Sequence, residues 1–335
     1  LVFFSVQSFA GNPDRAGAAG AGQLLVNPWG RTSGLSGSAM ASVNGIEATF
    51  LNVAGLAFTR KTELMFTNSN YLVGSNIKMN AFGFAQKIGN AGAIGVTVAN
   101  MNFGENMITK ESLPEGGIGN FTPSYTNIGI SYAKGFSNSI YGGVTVRLIS
   151  EAIYNVKAQG ASFDAGIRYV TGERDHIRFG ITLKNVGPPM RYRGEGLTFL
   201  GLAPSSNYQM TVEQRSATLE LPSLVNVGLA YDFLFGEKMK LTANGQYTSN
   251  SFTRDQAALG AEFSYNNKFF VRGGYAKEMG KQTSITSRSA FTGVSGGMTI
   301  QGTIGKGETI VGLDYSYRAT NPFGGVHSIG VHIAL

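Results

Sequence analysis

The sequence predicts an all-β protein: a fourteen-stranded antiparallel transmembrane β-barrel with an N-terminal hatch or plug segment. Three observations predict it. Apolar residues alternate with small or polar ones at period two through most of residues 61–335. Charged residues make up only 14% of the chain, against about 25% in a typical soluble domain. No uninterrupted apolar run reaches the ~20 residues of a membrane-crossing helix. A chain of this kind crosses a membrane with strands, each about 10 residues long.

The clearest unit is Ala257 to Tyr275. Leu259, Ala261, Phe263 and Tyr265 alternate with Gly260, Glu262 and Ser264. Asn266-Asn267-Lys268 turns the chain, and Phe269, Val271 and Gly273 then alternate with Phe270, Arg272 and Gly274. Alternation around an Asn-rich turn signals an antiparallel hairpin. One face carries Glu262 and Arg272, so it must meet water or a polar filling.

The same pattern places strands near 63–71, 77–87, 91–101, 125–135, 139–149, 161–171, 176–185, 223–233, 238–247, 256–265, 269–277, 291–301, 308–318 and 326–335. Connections after even strands are short and the long ones follow odd strands, at 102–124, 150–160, 186–222 and 278–290. Membrane barrels put short turns on the periplasmic side and long loops outside. This parity puts both termini in the periplasm. The last strand, Val326 to Leu335, alternates Ile329, Val331 and Ile333 with Ser328, Gly330 and His332.

The N-terminal residues differ. Residues 1–10 look like the remnant of a secretory signal peptide, with an apolar Leu1-Val2-Phe3-Phe4 and a small-x-small site at Ser8-Phe9-Ala10. Residues 11–60 are rich in small residues and are expected to form the hatch inside or below the barrel, with Trp29, Asn52, Ala54, Gly55 and Leu56 as its marked positions. Residues 61–335 form the barrel.

Several function classes lose support. The chain has no cysteine, which removes disulfides, thiolate metal sites and cysteine nucleophiles. Its net charge of +7 comes from scattered Lys and Arg rather than a basic run, so no nucleic-acid surface is expected. His327 and His332 are five apart on one strand and point to opposite faces, which excludes a shared metal site. Gly302-Thr303-Ile304-Gly305-Lys306-Gly307 lacks the Gly-Lys-Ser/Thr order of a phosphate loop and reads as a turn. No catalytic constellation, cofactor site or metal site is expected.

Two groups of residues remain. Arg147, Asp164, Arg168, Glu262 and Arg272 fall on the inward parity, with Glu47, Arg178, Asp232 and Asp314 near them. Charges inside a barrel need partners, and several are expected to clamp the hatch. The long loops carry apolar and aromatic residues suited to a partner surface, or to packing over the barrel mouth: Phe103, Met107, Phe121, Tyr192, Phe199, Leu200 and Tyr208.

Three stretches together resemble the PorV/PorQ family of Bacteroidetes outer-membrane proteins, within the wider FadL-like group of fourteen-stranded barrels. They are Gly30-Arg31-Thr32-Ser33-Gly34-Leu35-Ser36-Gly37 followed by Glu47 to Leu56; Leu183-Lys184-Asn185-Val186-Gly187 followed by Leu221-Pro222-Ser223; and the hairpin carrying Gly260-Ala261-Glu262 and Arg272-Gly273-Gly274-Tyr275. Val53 stands where the family usually has Pro. The resemblance implies a plugged, non-enzymatic barrel of the cell outer membrane. It also implies that the extracellular loops bind subunits or secreted cargo of the type IX secretion and gliding machinery. The alternative it implies is a FadL-like transporter of long-chain fatty acids or other hydrophobic small molecules, with a lipid or detergent in the lumen. Transport needs a gap in the wall, and Gly293, Gly296 and Gly297 mark one candidate strand.

Overall fold

Strand pairing closes on itself. The structure, a computed structural model, describes residues 11–202, 208–280, 289–305 and 309–335. Fourteen strands form the ring: β1 (Thr62–Tyr71), β2 (Ile77–Lys87), β3 (Ala93–Asn102), β4 (Ser124–Gly135), β5 (Ile140–Ile153), β6 (Val156–Thr171), β7 (Ile177–Val186), β8 (Leu224–Phe235), β9 (Met239–Asn250), β10 (Gln256–Tyr265), β11 (Phe269–Glu278), β12 (Phe291–Ile304), β13 (Thr309–Thr320) and β14 (Val326–Ala334). Each pairs antiparallel with the next, and β14 pairs with β1 from Asn70↔His327 to Glu63↔Ala334. A closed ladder leaves no edge, which is the condition for strands to cross lipid.

The two faces follow the alternation. Val144, Val146 and Leu148 of β5 point outward and stay exposed, while Thr145, Arg147 and Ile149 are buried inside. Ile128 and Ile130 are outward on β4, with Asn127 and Ser131 inside. Apolar side chains exposed around a closed wall are a lipid-facing surface. No helix among the described residues is long and apolar enough to cross a membrane. The turn between β10 and β11 takes the form its sequence asks for: Asn266 and Asn267 have φ of 54° and 52°, a region asparagine tolerates well.

Three expectations need correction. Residues 150–160 are not a long loop. β5 and β6 run on past the expected ends and meet across Ile153↔Val156, with only Tyr154-Asn155 between them. The apolar outward positions stop near Leu148, but the backbone ladder does not need them and extends the hairpin beyond the apolar band. Gly302 to Ile304 belong to β12 rather than to a turn; Gly305 begins the turn, and Lys306 and Gly307, like residues 1–10 expected as a signal-peptide remnant, lie outside the described residues. The parity rule also fixes only where β1 begins. Residues 11–20 lie on the long-loop side, where Arg15 pairs with Glu220 at 2.8 Å and the Gly20 N–H donates to the Glu220 carbonyl.

From there the chain descends through the lumen. Gly30 lies against β14, Gly34 against β12, Leu35 against β10 and β11, and Met40 against β7 and β8. Ile46 reaches β1, β2 and β3. Val43 and Thr49 meet β6 and β5, and the short helical turns touch β4, β9 and β13. A segment that touches every strand of a closed ring sits inside it.

Candidate functional site

The hatch is built from short turns because small residues must pass close to the wall. Trp29 is fully buried and meets Phe50 edge-on at 5.9 Å, forming a core with Ile46, Leu56 and Met65. On β2, a Cβ added to Gly83 would lie 2.6 Å from Ile46 Cγ1 and 2.8 Å from the Trp29 ring, so this wall position admits no side chain. Asn52, Ala54 and Leu56 are each fully buried. The Asn52 side chain accepts from the Ala54 N–H at 3.2 Å and donates to the Ile167 carbonyl of β6 at 3.1 Å. Asn52 therefore caps the 3-10 helix Val53–Phe58 and ties it to the wall. Val53 occupies its first position, where Pro is tolerated because the N–H has no partner within the helix. The departure from the family pattern leaves this cap intact.

Three wall cations hold the hatch by its carbonyl oxygens. Arg147 donates to the Thr49 carbonyl, with its Nε 2.8 Å from Asp164 and its guanidinium 4.2 Å from the Phe50 ring centroid. Arg168 donates to the Val43 carbonyl and, at 2.6 Å, to Asn44 Oδ1. Lys184 Nζ donates to the Phe50 carbonyl at 2.5 Å. Carbonyls at the end of a helical turn lack intrahelical donors, and a cation satisfies them well.

The opposite wall carries a continuous polar chain. His332 Nδ1 lies 2.7 Å from Asp314, which accepts from Thr299; Thr299 in turn receives Arg272 at 2.7 Å, and Arg272 pairs with Glu262. Arg31 of the hatch stands 3.8 Å from Glu262 and stacks over Phe270 at 4.9 Å. Arg178 pairs with Asp232. Each of the inward charges Arg147, Asp164, Arg178, Asp232, Glu262, Arg272 and Asp314 thus has a partner of opposite sign or a His. Glu47, on the hatch beside Arg31, is 6% exposed, and burial pushes its carboxyl up to about 8 against the pull of Arg31. His327 points outward, where Tyr315 meets its Nδ1 at 2.8 Å.

Two cavities flank the hatch. The one toward the short turns has a volume of about 300 Å³ and is charged, lined by Arg31, Glu47, Glu63, Arg178, Lys240 and His332. The one toward the long loops, about 370 Å³, is mixed: Leu24, Val26, Phe50, Leu51, Leu224 and Phe291 line it together with Lys184, Asn226, Gln246, Asn250, Glu278 and Arg318. Lys184 was not among the residues singled out as lumen charges. It continues the inward parity of Arg178, Gly180 and Thr182, and a bulge then follows: Phe163↔Val186 is succeeded by Ala165↔Leu183, so β7 carries one extra residue and Asn185 faces inward as well. Asn185 has φ of 59°, donates its N–H to Asp164 Oδ1 at 2.7 Å, and donates its side-chain amide to the Pro222 carbonyl at 3.0 Å. The Leu183–Gly187 and Leu221–Ser223 stretches thus meet in one structural joint.

The loop residues divide into two groups. Tyr192 turns inward and donates to Glu151 at 2.6 Å, Phe121 meets the Tyr154 ring at 5.7 Å, and Phe103 packs on the buried cluster of Leu24, Met101 and Met190. Phe103 and Tyr192 thus pack into the barrel mouth, while Phe121 covers the tip of the β5–β6 hairpin. Met107, Phe199, Leu200 and Tyr208 are 55%, 54%, 69% and 68% exposed. Phe199 and Leu200 sit on a projecting hairpin, Thr198–Leu202 paired with Gln209–Glu213.

No family model and no curated protein sequence matches the chain. Solved structures do. The toluene transporter TodX of Pseudomonas putida aligns with a TM-score of 0.59 at 11% identity, over 92% of this chain and 97% of that one. The CymD monoaromatic hydrocarbon channel aligns with a TM-score of 0.58 at 12% identity over the same shares. A Pseudomonas aeruginosa FadL homologue gives 0.52 at 14%, over 92% of this chain and 96% of that one. At such identities the likeness establishes fold. With the lipid-facing wall and the filled lumen, it makes the chain an outer-membrane β-barrel that shares its fold with these structures.

Proposed function

We propose that the chain carries small hydrophobic molecules across the outer membrane, taking them into the cavity above the hatch and releasing them through the wall at β12. One observation carries this reading: the ladder breaks where hatch, cavity and wall meet. β11 and β12 pair from Phe269↔Ile300 to Tyr275↔Val294, yet β11 continues to Glu278 and β12 starts at Phe291. On the other side the register with β13 shifts between Phe291 and Ser295. Gly293, with φ of 95°, lies inside this break, and the hatch hydroxyl of Ser36 bridges its carbonyl and Ser295 Oγ at 2.7 Å each. Phe291 at the break lines the cavity. The fold shared with hydrocarbon channels supports the same reading, and favours transport over the secretion role.

The test is uptake of a labelled long-chain fatty acid and of a labelled monoaromatic hydrocarbon by cells expressing the chain. Leu51→Trp and Phe291→Trp narrow the cavity and should cut uptake severalfold. Uptake no greater than in cells without the barrel defeats the reading.

The projecting hairpin favours a second reading, in which Phe199, Leu200 and Tyr208 grip a subunit or cargo of the type IX secretion machinery, as the PorV/PorQ resemblance implies. Exposed aromatic and aliphatic anchors on a rigid scaffold suit a protein partner. The double variant Phe199→Asp with Leu200→Asp separates the readings. Capture of secretion subunits from native membranes falls only if the hairpin binds them, while uptake stays unchanged if the cavity carries the function.

A further inference from the structure

We propose that Lys157, Arg191 and Arg193 form a site on the outer face of the barrel for the phosphate of a phosphorylated lipid in the leaflet facing the long loops. In the antiparallel pairing of the loop strand Met190–Arg193 with β6, Arg193 stands directly opposite Lys157. Like charges facing across a ladder are destabilising, so this pair calls for an anion between them. The protein does not supply one: none of the three takes part in an ion pair among the described residues.

Their direction is fixed by their neighbours. The Tyr192 hydroxyl reaches the buried Glu151 inside the barrel at 2.6 Å, so Arg191 and Arg193 on either side of it point out. Ala158 is 1% exposed and faces inward, so Lys157 also points out. Height follows from β6. Lys157 is twelve residues from Tyr169, an outward aromatic at the short-turn end. At about 3.3 Å per residue and a tilt of about 40°, that is ~30 Å along the membrane normal, a few ångströms beyond an apolar band about 25 Å tall. The cations therefore sit at headgroup level.

The surface beneath them completes the case for a lipid. Outward Ala161 and Phe163 follow on β6, with Leu148 on β5 and Val186 on β7 beside them. An anion at this height shares its surface with acyl chains, and a phosphorylated lipid reaches both halves. The two Arg forks and the Lys ammonium suit a phosphate with several acceptor oxygens.

The experiment is native mass spectrometry of the full chain in mild detergent, with diphosphoryl lipid A and phosphatidylglycerol as probes, and diacylglycerol and inorganic phosphate for comparison. The triple variant Lys157→Gln, Arg191→Gln, Arg193→Gln should retain at least about fivefold less of both phosphorylated lipids than the parent chain. The variant Lys87→Gln, Arg174→Gln, Lys238→Gln removes equal charge from the short turns and should retain as much as the parent. Swapping Lys157→Arg and Arg193→Lys should preserve retention, with folding of every variant checked by heat-modifiable migration. Unchanged retention in the first triple overturns the proposal, as does equal loss in both triples. Displacement of lipid A by millimolar inorganic phosphate that itself stays bound overturns the lipid part, leaving a free-anion site.

Discussion

Arg147 and Arg168 do the same job with different consequences. Both are buried and both donate to a hatch carbonyl, but only Arg147 has a carboxylate partner. Arg147→Met strands Asp164, whose side chain is 4% exposed, with the Asn185 N–H as its remaining donor. Breaking a buried pair costs about 3–5 kcal/mol. Arg168→Met strands only the Val43 carbonyl and the Asn44 side chain, a loss of about 1–3 kcal/mol. Thermal unfolding in detergent should place Arg147→Met well below Arg168→Met; the reverse order means that the ion pair does not dominate the clamp. Glu47 gives the hatch a pH dependence. Burial holds its pKa near 8 when docked, so the docked hatch binds the proton more tightly than the undocked one. The stabilisation is complete below the usual carboxylate range of about 4.5 and is lost as pH rises toward 8. Protease resistance of the hatch should fall between pH 5 and 8.5, and Glu47→Gln should flatten that fall.

At the scale of elements, the strands were legible and their polar joints were not. β2 and β10 begin and end at the expected residues, since period-two alternation fixes face and register together. The upper ends of β5 and β6 escaped because beyond the apolar band the outward side needs no apolar residue. His332 and Asp314 lie 18 residues apart and meet only across the β13–β14 ladder, so nothing local in the sequence joins them. Lys184 continues the inward parity of Arg178 and Thr182 and was legible in the alternation; the extra residue Asn185 breaks that alternation, and period two alone gives no sign of it. The hatch was visible as a run of small residues, but its course down from the long-loop side was not, because parity counts strands alone. The bulge is open to test. Asn185→Ala removes the bond to the Pro222 carbonyl and should cost about 1 kcal/mol. Asn185→Val adds a branched side chain at φ of 59° and should cost more. Equal melting temperatures for the two variants mean that the positive φ carries no strain.

For the whole molecule, the decisive property is that the ring and its filling are held by different forces. Every strand pairs with its two neighbours through backbone ladders, and β6 and β7 close the ring without help from residues 11–58. The hatch is held by side chains: three cations on its carbonyls, Asn52 on the Ile167 carbonyl, and an apolar core around Trp29. Deleting residues 11–58 should therefore leave a folded, heat-modifiable barrel. Its lumen is then lined by Arg168 and by Arg147, Arg178 and Arg272 with their acidic partners, a polar channel that fills with water. In planar bilayers the deleted form should conduct ions steadily while the intact chain stays nearly silent. Triple substitution of Arg147, Arg168 and Lys184 by Met should lie between them, with brief openings as the unclamped hatch shifts. A silent deletion variant that is folded and inserted means that the wall collapses inward without its filling. The hatch would then support the barrel as well as seal it, and the cavity above it could not change volume without moving the strands.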